Sequence, residues 1–327
     1  MRVAFVIKSI LAITLVISLL SGCLWGCSNS EEEEKMKQAE VLDTLIARGT
    51  SKRIMSFNVW NVWKPDAKGA QGERYRIEGC ADVILENSPD FVCLQEYDHW
   101  YRCHTDGLHY KLISAKYSEA LPTGVDPNYV WNPIFYDKEK YSIIENGIVD
   151  FKAEGVDCYE SAHYPDESDT SHFRTLVWAV FEDNYDGSKY IVSNLHYSLI
   201  GKEKNGIYTH ENEAKLVTDK IKTLCEKYEA VSLVCGDYNS LARSEGVGGY
   251  KFMVDAGFAD TYMLAEYKND LGSCGEAGKI VDRNYYDGAI DHVMTLSDIT
   301  VEAYYTFNSK TISDLSDHRP VIVQFGK

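Results

Sequence analysis

The sequence predicts an α/β sandwich, two packed sheets with helices on the outside. Short runs rich in Val, Ile, Phe and Tyr recur along the chain, as buried strands do. Helical periodicity appears only a few times between them. A doubly wound parallel sheet would alternate strand and helix more strictly. Several of the strand-like runs also end abruptly in Asn, Glu, Asp or His.

The chain opens on a leader. Arg2 and Lys8 flank the start of an apolar run over 10–20. That run is short of the ~20 residues a membrane-spanning helix needs and has the shape of a signal-peptide core. Leu20-Ser21-Gly22-Cys23 then resembles the lipobox of bacterial lipoproteins. The resemblance implies cleavage of 1–22, lipid on Cys23, and a membrane-anchored protein of the bacterial cell envelope that faces away from the cytoplasm. An ordinary cleaved leader with an incidental cysteine is the alternative. Residues 23–52 read as a solvated tether with the acidic run Glu31 to Glu34, followed by a short helix over 36–48. From residue 53 to 327 there is no internal repeat and no Pro/Gly-rich linker, so one domain is expected.

The elements of that domain follow in order. Residues 53–58 form a strand, and 73–87 a helix with Ile77, Cys80, Ala81, Ile84 and Leu85 on one side, broken by Ser88-Pro89. Strands are expected at 91–94, 110–114, 133–136 and 142–151. Residues 175–181 and 190–195 make a hairpin turned by Asp186-Gly187. A helix over 211–228 carries Ala214, Val217, Ile221 and Leu224 at helical spacing. A buried strand over 231–235, a short helix over 250–256, and strands at 290–295, 299–307 and 320–325 complete the chain.

Charge and cysteines narrow the class. The net charge of -17 becomes -19 once Arg2 and Lys8 leave with the leader. Such a surface disfavours tight nonspecific binding to a polyanion, but a nuclease stays open because metal ions supply local positive charge. Nine cysteines contain no CxxC pair, so a structural zinc site has no support. Cys80, Cys93, Cys225 and Cys235 read as buried thiols. Cys103, Cys158 and Cys274 lie in polar stretches, and an exported chain could bridge two of them.

Polar groups at the ends of core strands are costly unless they find partners or a metal. Here they form an ordered set: Ser56-Phe57-Asn58-Val59, Leu94-Gln95-Glu96, Asn194-Leu195-His196, Gly236-Asp237-Tyr238-Asn239, Ile290-Asp291-His292 and Ser316-Asp317-His318-Arg319-Pro320. In kind and order these strings resemble the endonuclease/exonuclease/phosphatase superfamily over residues 53–326. The resemblance implies a four-layer sandwich, two central and mostly antiparallel sheets flanked by helices. It implies a hydrolase that attacks a phosphodiester or phosphomonoester with water, using Mg²⁺ or Mn²⁺.

By that resemblance Glu96 is the main metal ligand, Asn58 supports it, and Asp317 is a metal or orienting residue. Hard oxygen donors suit Mg²⁺ on chemical grounds as well. His318, braced by Asp291, is the general base; Asp237 orients the water; Asn239 donates to a phosphoryl oxygen; His196 contacts the phosphate or protonates the leaving group. Arg174 and Asn194 are expected to support the phosphate. His292 should point to the opposite face of its strand from Asp291 and serve as packing. Cys103-His104 with His109 has no ligand spacing.

These motifs read the phosphate and not what carries it. The loops over 97–107, 152–173, 197–210, 241–249 and 265–287 should set the substrate. The second is acidic, and the third carries Lys202 and Lys204, enough for a small phosphate group. No basic stripe with interleaved aromatics appears. A small-molecule or lipid-headgroup phosphate ester is therefore preferred to nucleic acid, and a monomer is expected. A binding lipoprotein that kept the fold without catalysis, and a structural lipoprotein, are the alternatives of a different class.

Overall fold

A computed structural model describes residues 51–326, except 61–68, 104–106, 157–173, 200–202, 205–206, 243–247, 276–279 and 310. The leader, Cys23, the acidic tether and the helix expected at 36–48 lie outside the described residues. So do His104, Cys158, Lys202 and most of the acidic segment 152–173. Among the described residues no helix is long and apolar enough to cross a membrane.

Two mixed sheets form the centre. The first holds β1 (Lys52–Asn58), β2 (Phe91–Gln95), β3 (Tyr117–Glu119) and β4 (Ile134–Asp137) from the first half of the chain. The second holds β5 (Tyr141–Asp150), β6 (Thr175–Asp183), β7 (Lys189–His196) and β10 (Val231–Asp237), with the small pair β8 (Glu203–Lys204) and β9 (Ile207–Tyr208) apart. β11 (Ala259–Asp260) and β13 (Asp291–Thr295) complete the second sheet; β12 (Tyr267–Lys268), β14 (Thr300–Thr306) and β15 (Val321–Gly326) complete the first. Strand orders are β12-β14-β15-β1-β2-β4-β3 and β11-β13-β10-β7-β6-β5. Most neighbours are antiparallel; β1 with β2, β7 with β10 and β12 with β14 are parallel.

The helices are α1 (Gly69–Asn87), α2 (His99–Cys103), α3 (Leu108–Ala115), α4 (Thr209–Tyr228), α5 (Gly249–Asp255), α6 (Thr261–Leu264), α7 (Tyr285–Gly288) and α8 (Ile312–Leu315). Side chains alternate across a strand, so each sheet presents two faces. Ile54, Phe91, Cys93, Val192, Leu233, Val293 and Val323 meet between the sheets. On the outer face of the first sheet, Met55, Phe57, Val92 and Leu94 pack on Ile77, Cys80, Ile84, Leu112 and Leu315 of α1, α3 and α8. On the outer face of the second, Leu176, Ile191, Leu195 and Val234 pack on Val217, Ile221 and Leu224 of α4 and Met253 of α5. The four-layer sandwich is therefore present.

One expected strand is a helix. Residues 110–114 lie inside α3, where Leu108 and Leu112 are buried one turn apart. Tyr and Ile favoured a strand locally, and the i, i+4 packing against the first sheet overrides that preference. The Asp186-Gly187 hairpin forms as read, with Gly187 at φ 73°. Cys80, Cys93 and Cys235 are buried, while Cys103 and Cys274 are free thiols.

Candidate active site

The site groups sit at one end of the two sheets. Asn58 and Asp237 close the C-terminal ends of β1 and β10, and Glu96 follows the C-terminal end of β2. Asp291 and His318 stand at or just before the start of β13 and β15, which run antiparallel to β10 and β1. The strand ends that carry Asn58, Glu96, Asp237, Asp291 and His318 therefore converge. Asn58, Asp237 and Asp291 occupy inner-face positions, in line with Ile54, Leu233 and Val293 of the core between the sheets.

The groups bridge the sheets. Asn58 Nδ2, from the first sheet, donates to Asp237 Oδ2 of the second at 3.1 Å and to Glu96 Oε1 at 3.3 Å. Asn58 Oδ1 accepts from Trp60 N at 3.0 Å, which fixes the direction of the amide. His318 Nδ1 lies 2.7 Å from Asp291 Oδ2. His196 Nε2 and His318 Nε2 lie 3.5 Å and 3.9 Å from Asp237 Oδ2. Asn239 N–H donates to Asp237 Oδ1 at 2.8 Å, and its side-chain amide donates to the Tyr197 carbonyl at 2.9 Å. Trp60, Glu96 and Asn239 all have positive φ, at 56°, 56° and 45°. Such conformations cost of order 1–3 kcal/mol and persist where the surroundings fix them. Gly236 is required by close approach: a Cβ there would lie 2.1 Å from the Leu195 carbonyl oxygen of the neighbouring strand.

Burial sets the charge states. Asp237 is 2 % exposed. Desolvation and the charge of Asp291 push its carboxyl up to about 7, against the pull of His318 and the hydrogen bonds from Asn239 and Asn58. For His318, burial opposes the charge, but Asp291, Asp237 and Asp317 outweigh it and hold the imidazole well above its ordinary value. Without a metal these carboxylates therefore favour the protonated form of His318. A general base there must first lose that proton, which positive charge brought to Asp237 and Glu96 favours.

The donor set fits a hard divalent cation. Two carboxylates, of Glu96 and Asp237, share one amide donor, and an oxygen-rich corner of this kind suits Mg²⁺ or Mn²⁺. Asp237, Asp291 and His318 also gather ligand atoms within 4.8 Å of one another. Asp291 Oδ1 is buried without a hydrogen-bond partner, an expense that a nearby cation or ordered water would relieve.

Some expected roles change. Asn194 does not face a phosphate: it is fully buried, and both its amide hydrogens are committed, to the Leu94 carbonyl at 2.7 Å and the Pro133 carbonyl at 2.9 Å. Its Oδ1 accepts from Gln95 Nε2 at 2.7 Å. Asn194 therefore rivets β7 to β2 beneath the site. Arg174 is buried, and its charge helps lower the pKa of His210 of α4, where burial is the larger cause. Asp317 acts on His318 through its charge and is outside the group gathered around Asp237. His292 faces away from Asp291, between the Tyr285 hydroxyl and the Ser240 carbonyl.

Three positioning residues escaped the sequence reading. Asn132 donates to the carbonyls of Thr175 and Asn194, joining the segment before β4 to β6 and β7. Ser316 Oγ donates to the Asn58 carbonyl at 2.7 Å and accepts from His318 N at 3.0 Å. Ser273 Oγ accepts from Asp291 N at 3.1 Å. Asn132, a polar residue in the otherwise apolar stretch 130–135, and Ser316, which opens the Ser316-Asp317-His318 string, left a trace in the sequence; Ser273 left none.

No family profile and no curated protein matches the chain. Solved structures do match. An endonuclease/exonuclease/phosphatase family protein from Bacteroides thetaiotaomicron aligns at TM-score 0.65 and 20% identity, covering 84% of this chain and 98% of its own. The chain has the endonuclease/exonuclease/phosphatase fold. A mannosyl-6-phosphatase from the same organism gives TM-score 0.65 and 20% identity over 84% of this chain and 100% of its own. TDP2 from D. rerio, complexed with single-strand DNA product, gives 0.56 and 17% over 85% and 99%. The chain thus spans nearly the whole length of each of these endonuclease/exonuclease/phosphatase-fold proteins.

Proposed function

We propose that the chain is a metal-dependent phosphohydrolase that cleaves a small phosphate ester with water. The carrying observation is the cross-sheet arrangement in which Asp291 braces His318 at 2.7 Å while Asn58 joins Glu96 to Asp237 opposite it. Phosphoryl transfer needs little covalent chemistry from a protein; it needs positioning, charge stabilisation and proton handling. Bound Mg²⁺ or Mn²⁺, held by Glu96 and Asp237 with Asn58 in support, would supply Lewis acidity to a phosphoryl oxygen. Asp237 orients the attacking water between His196 and His318. His318 takes the water's proton at Nε2, and Asp291 holds its Nδ1–H. His196 meets the phosphate or hands a proton to the leaving oxygen, and Asn239 faces the phosphoryl group.

The acidic balance of the chain and the mannosyl-6-phosphatase among its structural neighbours support a monoester on a small molecule. Nuclease activity is the second reading, favoured by the neighbour bound to a DNA product. We place the protein outside the cytoplasm on a lipidated Cys23, on the strength of the leader and lipobox-like string. A panel of sugar phosphates, inositol phosphates, sphingomyelin and plasmid DNA, each with Mg²⁺ and with chelator, tests the reading. Turnover of a small ester that chelator abolishes is expected. DNA cleavage without small-ester turnover reverses the order, and metal-independent turnover overturns the mechanism.

A further inference from the structure

A guanidinium next to a reacting imidazole reads as a phosphate clamp. Arg319, beside His318, is directed elsewhere. It is 2 % exposed. Its Nη1 donates to the carbonyls of Gly272 at 3.1 Å and Val281 at 3.4 Å, and its Nη2 pairs with Asp282. Its backbone N–H donates to the Ser273 carbonyl at 2.6 Å. All four partners belong to segments 271–275 and 280–283, which Gly272 N and the Arg283 carbonyl tie to each other at 2.8 Å.

The first of these segments touches both members of the Asp291–His318 pair. Ser273 Oγ accepts the backbone N–H of Ile290 at 3.2 Å and of Asp291 at 3.1 Å. Cys274 forms an isolated antiparallel bridge with His318. The flanking bonds run from Arg319 N to the Ser273 carbonyl and from Gly275 N to the Asp317 carbonyl. That pattern makes Cys274 and His318 a non-hydrogen-bonded pair, in which Cα atoms approach to ~4.5 Å and both side chains stand on one face. Cys274, half-buried, therefore neighbours the imidazole. The fit is tight from behind as well: a Cβ on Gly272 would lie 2.5 Å from the Gly288 carbonyl carbon.

We propose that Arg319 is a positioning residue, which seats segments 271–275 and 280–283 against the Asp291–His318 pair and so makes Cys274 a side wall of the substrate mouth. Its effect on turnover rests on the phosphohydrolase reading; the seating itself is measurable without substrate. Only a planar fork serves two carbonyls and a carboxylate together, so lysine is a poor replacement.

The test is pulsed labelling of the purified protein with iodoacetamide, read by peptide mass spectrometry, in wild type, Arg319→Lys, Arg319→Met and Asp282→Asn. Exposed Cys103 is the internal control. Arg319→Met should raise the labelling rate of Cys274 by about tenfold or more, as local opening does, and leave Cys103 unchanged. Arg319→Lys should fall between Arg319→Met and wild type. Asp282→Asn removes one ion pair at an acid whose side chain is 80% exposed and should raise it about two- to threefold. That variant carries the test if the Arg319 variants fail to fold. Unchanged labelling of Cys274 overturns the proposal. So does a rise in KM in Arg319→Lys at wild-type labelling, which would make Arg319 a substrate contact. Raised labelling in a protein whose wild type turns over no phosphate ester supports the seating and sinks the proposed function instead. Where turnover is measurable, the seating also predicts a displaced pH–rate profile in Arg319→Met, because Asp291 and His318 lose their alignment.

Discussion

His318 and His292 both lie beside Asp291, one across space and one along the chain, and both are buried. His318 is on the inner side of the two sheets, where three carboxylates hold its proton on. His292 is one position along β13 and so on the opposite face. There desolvation, the largest influence, lowers its pKa, although Asp260 and Asp291 pull the other way. It sits against Tyr238, Tyr250 and Tyr285. One step of strand alternation thus moves the same imidazole from a place among acids to a packing place among tyrosines. A His next to an Asp in sequence is no guide to which imidazole that Asp braces.

The contrast can be attacked from several sides. The largest effect belongs to the inner face: His318→Ala or Asp237→Ala should cut kcat/KM by about 10²–10⁴ while the protein stays folded, as turnover and circular dichroism together would show. Glu96→Gln should come next, raising the Mg²⁺ needed for half-maximal activity by about tenfold or more in a metal titration. His292→Ala should invert the pattern, destabilising by about 1–3 kcal/mol in urea melts because the Ser240 carbonyl loses its donor and a void opens among Tyr238, Tyr250 and Tyr285, while the Tyr285 hydroxyl keeps Asp260. Its kcat at low temperature should stay within a few-fold of wild type. A larger loss of kcat with full stability would show that the two faces are not independent.

The pH dependence is the subtlest probe. Asp237 titrates near 7 in the fold against an ordinary 3.8, so the folded state keeps a proton that the unfolded chain releases. Its contribution to stability therefore worsens as pH rises from about 4 to 7. His318 is raised in the fold, so its contribution is full below its ordinary 6.5 and is lost as pH climbs through the elevated value. In chelator, Tm should fall steadily between pH 5 and pH 9, and Mg²⁺ should flatten the slope. Asp237→Asn should remove the part of the slope below about pH 7.

The core strands, the outer helices and the inner-face polar groups were legible because burial and alternation write themselves into residue order. Asn58, Asp237 and Asp291 stood out as polar ends on apolar strands. What stayed hidden depends on contacts between distant segments. Asn194 has the same strand-end signature as His196, and only the carbonyls of Leu94 and Pro133 show that its amide is spent inside. Ser273 carries no local signal at all, and Ser316, though it opens the polar string with His318, gives no sign in sequence of its bond to the remote Asn58 carbonyl. Residues 110–114 misled because β-propensity is a weak preference that packing one turn apart defeats.

The Asp291–His318 pair is split between the sheets: His318 leads into a strand of one, Asp291 begins a strand of the other, and Asn58 reaches across to Asp237 in the same way. Activity is consequently a gauge of how the two halves are docked. An expanded chain that kept every helix and strand but let the sheets slide by an ångström or two would look native by far-ultraviolet dichroism and be inert. On heating or mild acidification, turnover should vanish before secondary structure does, and the gap between the two curves would measure how firmly the Gln95–Asn194 amide rivet holds.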